Sequence, residues 1–587
     1  MRLQNIVFPK MGICTEEGLY YRVNGKQSHY DYEREKLKIS QDELAQFNTY
    51  FNCVLGDRWK KYTVIKDLGI SLIGKGRGIL SVYRESSFNG RELIVSKDIT
   101  LAEKGEEYLI LTRAEEIYGI FYFEFRALED SAISGGYFFT SAEKKQDISL
   151  GVVITTFKRE AYVQRNMDSF KKRLFDKIRD EDLHFFIIDN GQTLSDFGSE
   201  RITVVPNKNY GGAGGFGKGL LLNYCLGKYN HVVFCDDDAT YEPEAYLRLF
   251  YFLSLAKDSD LCVGGSMLKL DSPFFMHESG AVYSSFMYYP NRNMLNMLDM
   301  ANMHYFNREI RAQYHAWWFF SCPTKFAEEI GMPLPIFFQG DDMEFSLRLR
   351  EKKYQTTDLN GICVWHESFE RKSSTAASYY WIRNSAIASI LHEPGMGAWQ
   401  TAKEFTRHLF IALFTYRYDR ADMMLKGMED VLKGPDFLMK LDPVSYHQAL
   451  MQAQIDKPHD IDASQIVLEK YDRPVRNGSL KKLAMLLTLN GILLPSFLRH
   501  KGTVIEPLWS YRTTATFRQE SVLYVDLDRM SGFLVHRNVK KFWSVFFKML
   551  QMNWKIFTKF SGCRKQYQDK LSAMTSIEFW KNYVGEK

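Results

Sequence analysis

Three aspartates in a row, Asp236-Asp237-Asp238, close a short apolar run, His231-Val-Val-Phe-Cys. Residues two apart on an extended chain point the same way, so Asp236 and Asp238 offer two carboxylates to one ligand. Such a pair suits a hard divalent cation, Mn²⁺ or Mg²⁺, which keeps open positions for phosphate oxygens. An acidic turn facing solvent is the plainer alternative. A second acidic pair, Asp341 and Asp342, follows Gly340 and precedes a helical stretch from Met343 to Glu351. One of these carboxylates could serve only as a helix cap. Beside the aromatic stretch Trp317-Trp318-Phe319-Phe320, the pair also fits a general base next to a surface on which a sugar stacks. His366 ends another apolar run, Gly361-Ile-Cys-Val-Trp. A neutral imidazole there would complete a metal site with the aspartates, although a lone histidine at a strand end is as readily structural.

A glycine-rich run competes with this reading. In Asn209-Tyr-Gly-Gly-Ala-Gly-Gly-Phe-Gly-Lys-Gly, the residues Gly212, Gly214 and Gly217 match G-x-G-x-x-G after a strand, with an acid, Asp236, roughly twenty positions on. A nicotinamide-dependent oxidoreductase using this run as a loop is therefore the competing enzyme class. Against it, the run follows the third strand of its series and not the first, and three aspartates crowd charge where one suffices for a ribose. The same residues imitate a phosphate-binding G-x-x-x-x-G-K, but Gly219 stands where a Mg²⁺-binding Ser or Thr belongs.

The elements that must position these residues alternate between strand and helix. Leu150-Gly-Val-Val-Ile-Thr-Thr, a helical stretch to Lys177, His184-Phe-Phe-Ile-Ile-Asp and Ile202-Thr-Val-Val precede the glycine run. The alternation predicts an α/β catalytic domain over 148–395 with a Rossmann-like, mostly parallel sheet. Ligands of such sheets bind at the carboxyl ends of the strands, where Thr155, Asp189 and the aspartate run fall. Short apolar and alternating runs before it predict a β-sandwich over 1–147. Residues 396–587 read as a helical domain with a basic amphipathic tail. A stretch rich in Met, Asn and Tyr, from Ser284 to Asn307, reads as a long loop able to cover a site.

A chain of 587 residues with 45% hydrophobic and 25% charged side chains has room for several globular domains, and excludes collagenous or wholly disordered classes. The net charge is +5, yet the segment from Lys501 carries fifteen Lys or Arg against seven Asp or Glu, so basicity is concentrated in the tail. Between Met530 and Gln568 eight cationic residues and no acid interleave with Phe542, Trp543, Phe547, Trp554 and Phe557. A helix there reads as an anchor on an anionic membrane surface or, equally, as a core helix with a solvated basic face. Eight cysteines without a C-x-x-C pair fit a reducing cytoplasm. The N-terminus lacks the apolar core of a signal peptide, and Leu483 to Leu498, broken by Asn490-Gly491 and Pro495, reads as a buried helix and turn.

Thr155-Thr156-Phe157-Lys158-Arg159, Asp189-Asn190-Gly191, the glycine run, Asp236-Asp237-Asp238, Trp317-Trp318, Gly340-Asp-Asp-Met-Glu and Trp365-His366 together resemble the family 2 inverting glycosyltransferases of GT-A fold. Within that family they are most similar to the galactofuranosyltransferases that polymerise mycobacterial cell-wall galactan. The resemblance implies a GT-A domain between a β-sandwich and a helical domain, and a UDP-sugar donor, UDP-galactofuranose. It implies Asp236, Asp238 and His366 as ligands of Mn²⁺ or Mg²⁺, and Arg159, Asp189, Asn190, Asn209, Asp236 and Asp237 around the nucleotide sugar. Trp317, Trp318 and Asp341 would line the acceptor pocket, and Asp342 would deprotonate the attacking hydroxyl. The acceptor would be a cell-surface polysaccharide precursor or lipid-linked glycan, reached by a cytoplasmic enzyme lying on the inner face of the membrane.

Two positions depart from that pattern: Ala281, in His277-Glu-Ser-Gly-Ala, replaces an acid, and Trp381, in Tyr379-Tyr-Trp-Ile-Arg-Asn, replaces a substrate-facing histidine. Both bear on sugar recognition, so a UDP-sugar transferase of other specificity is the nearest alternative. A non-catalytic glycan-binding protein on a decayed transferase domain is the alternative outside enzymes. Nucleic acid is not an expected partner, since nothing resembles a groove-reading element. A homo-oligomer is compatible with the sequence.

Overall fold

Alternation of buried and half-exposed side chains makes Leu68–Ser86 a single strand of 19 residues. In the computed structural model, which describes residues 1–368, 375–462, 466, 471 and 478–585, this strand is the spine of an eleven-stranded N-terminal β region. Its first half pairs with Ser131–Phe139 and Glu106–Leu111, and its second half with Ile120–Ala127 and Gly90–Leu101.

Buried polar side chains bolt the β region to the central part of the chain. Asn360 donates to the carbonyls of Tyr50 and Cys53 at 2.8 and 2.7 Å, and Arg248 donates to the Phe51 carbonyl at 2.9 Å. Arg58 of the same region lies 3.2 Å from Asp358, which Arg292 also contacts. Burial alone would raise the Asp358 carboxyl; the two guanidinium charges outweigh it and hold the group at about 2.

The central nine-stranded sheet has the GT-A-like, mostly parallel α/β character expected of it. Ile202–Pro206, Leu183–Asp189, Leu150–Thr156 and His231–Asp236 run parallel in that spatial order. Phe319–Pro323 lies antiparallel to the last of these, followed by Cys262–Lys269 and, parallel to it, Thr356–His366. The register sets Thr156 opposite Asp189 and Thr155 opposite Asp236, so the strand ends deliver these residues to one edge.

The glycine run is not a loop. Gly211–Leu226 is a helix packed on the sheet. A Cβ on Gly215 would come 2.2 Å from Thr155 Cγ2, and one on Gly219 the same distance from Val153 Cγ1. On another side, a Cβ on Gly217 would meet the Trp580 ring at 2.2 Å. The glycines let a helix sit against a strand and an indole at backbone distance, and the dinucleotide reading loses its motif.

The C-terminal region is mainly helical, from Ala398–Phe414 and Tyr418–Val431 to the 36-residue helix Val539–Met574. Two features correct the sequence reading. His500–Pro507, Gln519–Asp526, Ser531–His536 and His459–Asp460 form a four-stranded sheet. Gln519–Asp526 buries six residues in succession and His500–Pro507 its last three, so neither shows the alternation that marks a half-exposed strand. Leu483 to Leu498 is not a buried helix and turn: Met485 and Ile492 are buried, but Leu483, Leu486, Leu487, Leu493 and Phe497 are exposed. No helix among the described residues is long and apolar enough to cross a membrane. The chain then returns to its centre, where Trp580 is fully buried against the glycine-rich helix and donates to the Pro333 carbonyl at 2.9 Å.

Candidate functional site

At the carboxyl end of the sheet Asp236, Asp238 and His366 bring one ligand atom each within 4.8 Å of one another. His366 Nε2 is 3.0 Å from Asp238 Oδ1 and 3.9 Å from Asp236 Oδ2. The other ring nitrogen, Nδ1, is 2.6 Å from the Glu367 carbonyl oxygen, to which it donates. That bond fixes the tautomer and turns the Nε2 lone pair toward the carboxylates. Two carboxylates and one such imidazole form a donor set that a divalent cation fits.

Asp237 points to the other side. It accepts from Thr156 Oγ1 at 2.7 Å and pairs with Arg159 Nη1 at 2.8 Å; the same Arg159 nitrogen is 2.7 Å from Asp238. Burial raises the Asp237 carboxyl, and Arg159 offsets part of that. Arg159 thus brings a cation into contact with a carboxylate of the cluster, at the rim of the cavity described next.

Next to this cluster is a cavity of about 530 Å³. Thr155, Thr156, Arg159, Asp236 and Asp237 form one wall, and Asn190, Asn209, Gly211 and Gly212 another. Phe337, Phe338, His447 and Met451 form a third, the last two from the C-terminal region. The buried Thr155 hydroxyl has no hydrogen-bond partner among the described residues. Asn190 is held by Asn207 at 2.8 Å and donates to the Gly211 carbonyl at 3.0 Å. Asp189 does not line the cavity: its carboxylate accepts the backbone N–H groups of Gly191, Thr193 and Leu194 at 2.7–2.9 Å, and so shapes the loop that carries Asn190.

Across the sheet edge Asp341 and Asp342 open the helix Asp341–Glu351. Burial, then the charge of Asp342, drives the Asp341 carboxyl well up. Burial pushes Asp342 up to about 6, against backbone N–H groups of Met343 and Trp317 that pull it down. The approach to this pair is strained: Phe337, Gln339 and Gly340 have φ of 74°, 67° and 87°. Such conformations cost about 1–3 kcal/mol each for non-glycine residues and persist only when neighbours impose them. Asn384 imposes this one, donating to the Phe338 and Gln339 carbonyls at 2.8 Å each.

Trp317 and Trp318 are 3% and 5% exposed. Trp317 stacks on Phe234 with centroids 4.4 Å apart, and Trp318 donates to the Gly265 carbonyl at 2.9 Å. Both rings are therefore buried by their neighbours, without the open stacking face expected of them. Trp381 packs edge-on to His408, centroids 4.4 Å apart, on the helical core. The stretch from Ser284 to Asn307 is more ordered than a loop: Ala281–Ser284 pairs with Met287–Pro290, and Met300–Asn307 is a helix. It brings Tyr288 Oη to 3.4 Å from where a Cβ on Gly340 would be.

Sequence reasoning missed Tyr288, Asn384, His447 and Met451. Only long-range pairing collects them, and no local pattern marks them.

Residues 3–141 match the family described as Galactofuranosyltransferase 2 N-terminal, and residues 151–316 match Glycosyl transferase family 2. The chain is 24% identical over 630 residues to Galactofuranosyltransferase GlfT2 of Mycobacterium tuberculosis, covering 98% of this chain and 96% of that protein. It is 23% identical to Galactofuranosyltransferase GlfT2 of Mycolicibacterium smegmatis, with 99% and 96% covered. Among solved structures, S. aureus TarS 1-349 overlaps 54% of this chain and 95% of its own at 14% identity and a TM-score of 0.30, too loose a superposition to bear on function.

Proposed function

We propose that this chain, a family 2 glycosyltransferase, transfers galactofuranose from UDP-galactofuranose to a growing cell-surface glycan, with inversion at the anomeric carbon. One observation carries the proposal: the carboxylate–imidazole cluster adjoins a cavity of nucleotide size, about 530 Å³, and Asp341 of the buried carboxylate pair stands next to its wall, with Oδ2 3.6 Å from where a Cβ on Gly212 would be. Asp236, Asp238 and His366 would hold Mn²⁺ or Mg²⁺. When bound, the cation neutralises charge on the diphosphate leaving group. Arg159 and the cavity residues Asn190, Asn209 and Asp237 orient the nucleotide sugar, with Asp189 holding the loop of Asn190 in shape. Asp342 takes the proton of the attacking acceptor hydroxyl, and Asp341 and the tryptophan pair bound the acceptor side. One base and one displacement suffice, with no second nucleophilic carboxylate.

The acceptor would be lipid-linked, and the tail would hold the enzyme at an anionic membrane surface. On Val539–Met574 one side is buried in the helical core, while Phe547, Leu550, Trp554 (71% exposed) and Phe557 face out; of the lysines nearby, Lys548 and Lys555 pair with Asp422 and Glu429 at 3.0 and 3.2 Å, and Lys559 is exposed. Leu480 (83%) and Phe497 (81%) add a second exposed apolar element, next to Lys481 and Lys482. Exposed apolar side chains with lysines alongside them fit the headgroup boundary of an anionic leaflet.

The test is transfer to an octyl galactofuranosyl disaccharide, with the anomeric configuration of the new linkage read by NMR. A product of configuration opposite to the donor supports the proposal, and retention excludes it.

A further inference from the structure

On the acceptor side, the short strand Met276–Glu278 pairs with Cys262–Lys269, setting Glu278 opposite Met267. The strand ends at a turn through Ser279 and Gly280, where Ser279 Oγ donates to Asp358 at 2.6 Å. The turn is thereby tied to the ion cluster that joins the β region to the sheet. Glu278 itself is only 6% exposed, and its Oε1 has no hydrogen-bond partner among the described residues. Leaving such an atom unpaired costs about 1–3 kcal/mol, and more for a charged group, so a buried carboxyl oxygen without a partner calls for an explanation.

Its surroundings supply one. The charge that acts on Glu278 is that of Asp342, and burial followed by this repulsion pushes the Glu278 carboxyl up to about 8. The Tyr314 hydroxyl is acted on by both Glu278 and Asp342, and that of Tyr288 by Asp342 and Asp341. Ala281, three residues after Glu278, donates its backbone N–H to the Tyr314 carbonyl at 3.0 Å and packs in one cluster with Tyr288, Tyr314 and Met343, the neighbour of Asp342. Two carboxyls and two phenols from four separate segments thus gather on the Asp342 side of the site. The Ala281 side chain itself contributes no polar group.

We propose that Glu278 is a specificity-determining residue of the acceptor subsite. Its unpartnered carboxyl oxygen hydrogen-bonds a sugar hydroxyl next to the one that Asp342 deprotonates, and so selects which hydroxyl attacks. This assignment rests on the glycosyltransferase reading above. A neutral carboxylic acid suits the role, because it donates to a sugar oxygen without placing a second negative charge beside the base. The ligand class is a vicinal diol of the acceptor sugar.

The test compares the full-length protein with Glu278→Ala and Glu278→Gln. Three readouts are taken: UDP release from UDP-galactofuranose without acceptor, KM for an octyl galactofuranosyl disaccharide, and the linkage of the product by NMR. Glu278→Ala is expected to raise acceptor KM at least tenfold and to spread the product over two linkages, with acceptor-independent UDP release unchanged. Glu278→Gln, which keeps a hydrogen-bonding amide, should return KM to within about threefold of the original protein. An unchanged KM and a single unchanged linkage in both variants, with UDP release intact, would overturn the assignment alone. If Glu278→Ala does not fold, the isosteric Glu278→Gln and the shortened Glu278→Asp decide by linkage: a product mixture from Asp supports the role, and an unaltered linkage overturns it. Absence of UDP release and of transfer by the original protein would overturn the transferase reading itself, and this assignment with it.

Discussion

His366 Nε2 lies 3.0 Å from Asp238 Oδ1 while Nδ1 of the same ring donates to the Glu367 carbonyl. With one proton fixed on Nδ1, the approach of Nε2 to a carboxylate is satisfied only by a second proton or by a cation between the two. The metal reading and the simple ion-pair reading therefore make opposite demands on the divalent ion.

If the cluster holds a metal, Asp238→Ala and His366→Ala should weaken Mn²⁺-dependent UDP binding at least tenfold while leaving the melting transition of the protein in place. Calorimetric titration of UDP with and without Mn²⁺ measures this. Equal UDP affinity in the presence and absence of the ion would remove the metal from the account.

Asp342 titrates near 6 because burial disfavours its charge, and a base must be ionised to accept a proton. Its ionised fraction is small below that value and rises as pH passes up through about 6, so the transfer rate should rise over that window and level above it. Asp342→Asn should lower kcat by about 10²–10⁴-fold, the usual scale of general-base catalysis, and abolish this limb of the profile. A pH series of single-turnover rates in both proteins checks the sign.

Asn384 holds the left-handed approach to Asp341 through two 2.8 Å hydrogen bonds to the Phe338 and Gln339 carbonyls. Its loss should let the strained segment relax and shift the base. Misplacement by about 1 Å can cost roughly 10²-fold, so Asn384→Ala should depress kcat by about tenfold to a hundredfold with UDP affinity little changed. An effect confined to UDP affinity would contradict the positioning role.

Membrane attachment should depend on the outward face of Val539–Met574. Combined Phe547→Ser, Trp554→Ser and Phe557→Ser should reduce co-sedimentation with phosphatidylglycerol vesicles at least tenfold. Added salt should weaken binding of the original protein, since each Lys or Arg near an anionic surface contributes about 1 kcal/mol that salt screens. Undiminished sedimentation of the triple variant would assign this face another role.

The parts of the site legible in the sequence are those that end strands. Asp236, Asp238 and His366 each close an apolar run and so fall at the ligand-binding edge of the sheet, but two strands separate those runs, and it is the short strand Thr240–Tyr241, paired with Trp365 and Val364, that carries the aspartates across to His366. The glycine run was legible as a feature and misread as a loop, because the same spacing serves a phosphate cradle or a tight helix contact. Val153, Thr155 and Trp580 decide between them, and Trp580 lies far away in the chain. Apolarity predicted burial for Leu483 to Leu498, whereas hydropathy carries no information about which side of a short helix meets the core. Glu278 and Asn384 were invisible because their roles arise from pairing with Met267 and from a strained backbone more than forty residues earlier, neither of which a local pattern encodes.

The most direct measurement of the central claim is UDP release by the purified protein from UDP-galactofuranose and from UDP-galactopyranose, with an octyl galactofuranosyl disaccharide and Mn²⁺ present, before and after excess chelator. The account predicts release from the furanose donor alone, stopped by the chelator and restored by Mn²⁺. Undiminished release with the metal chelated, or release from neither donor under these conditions, would contradict it.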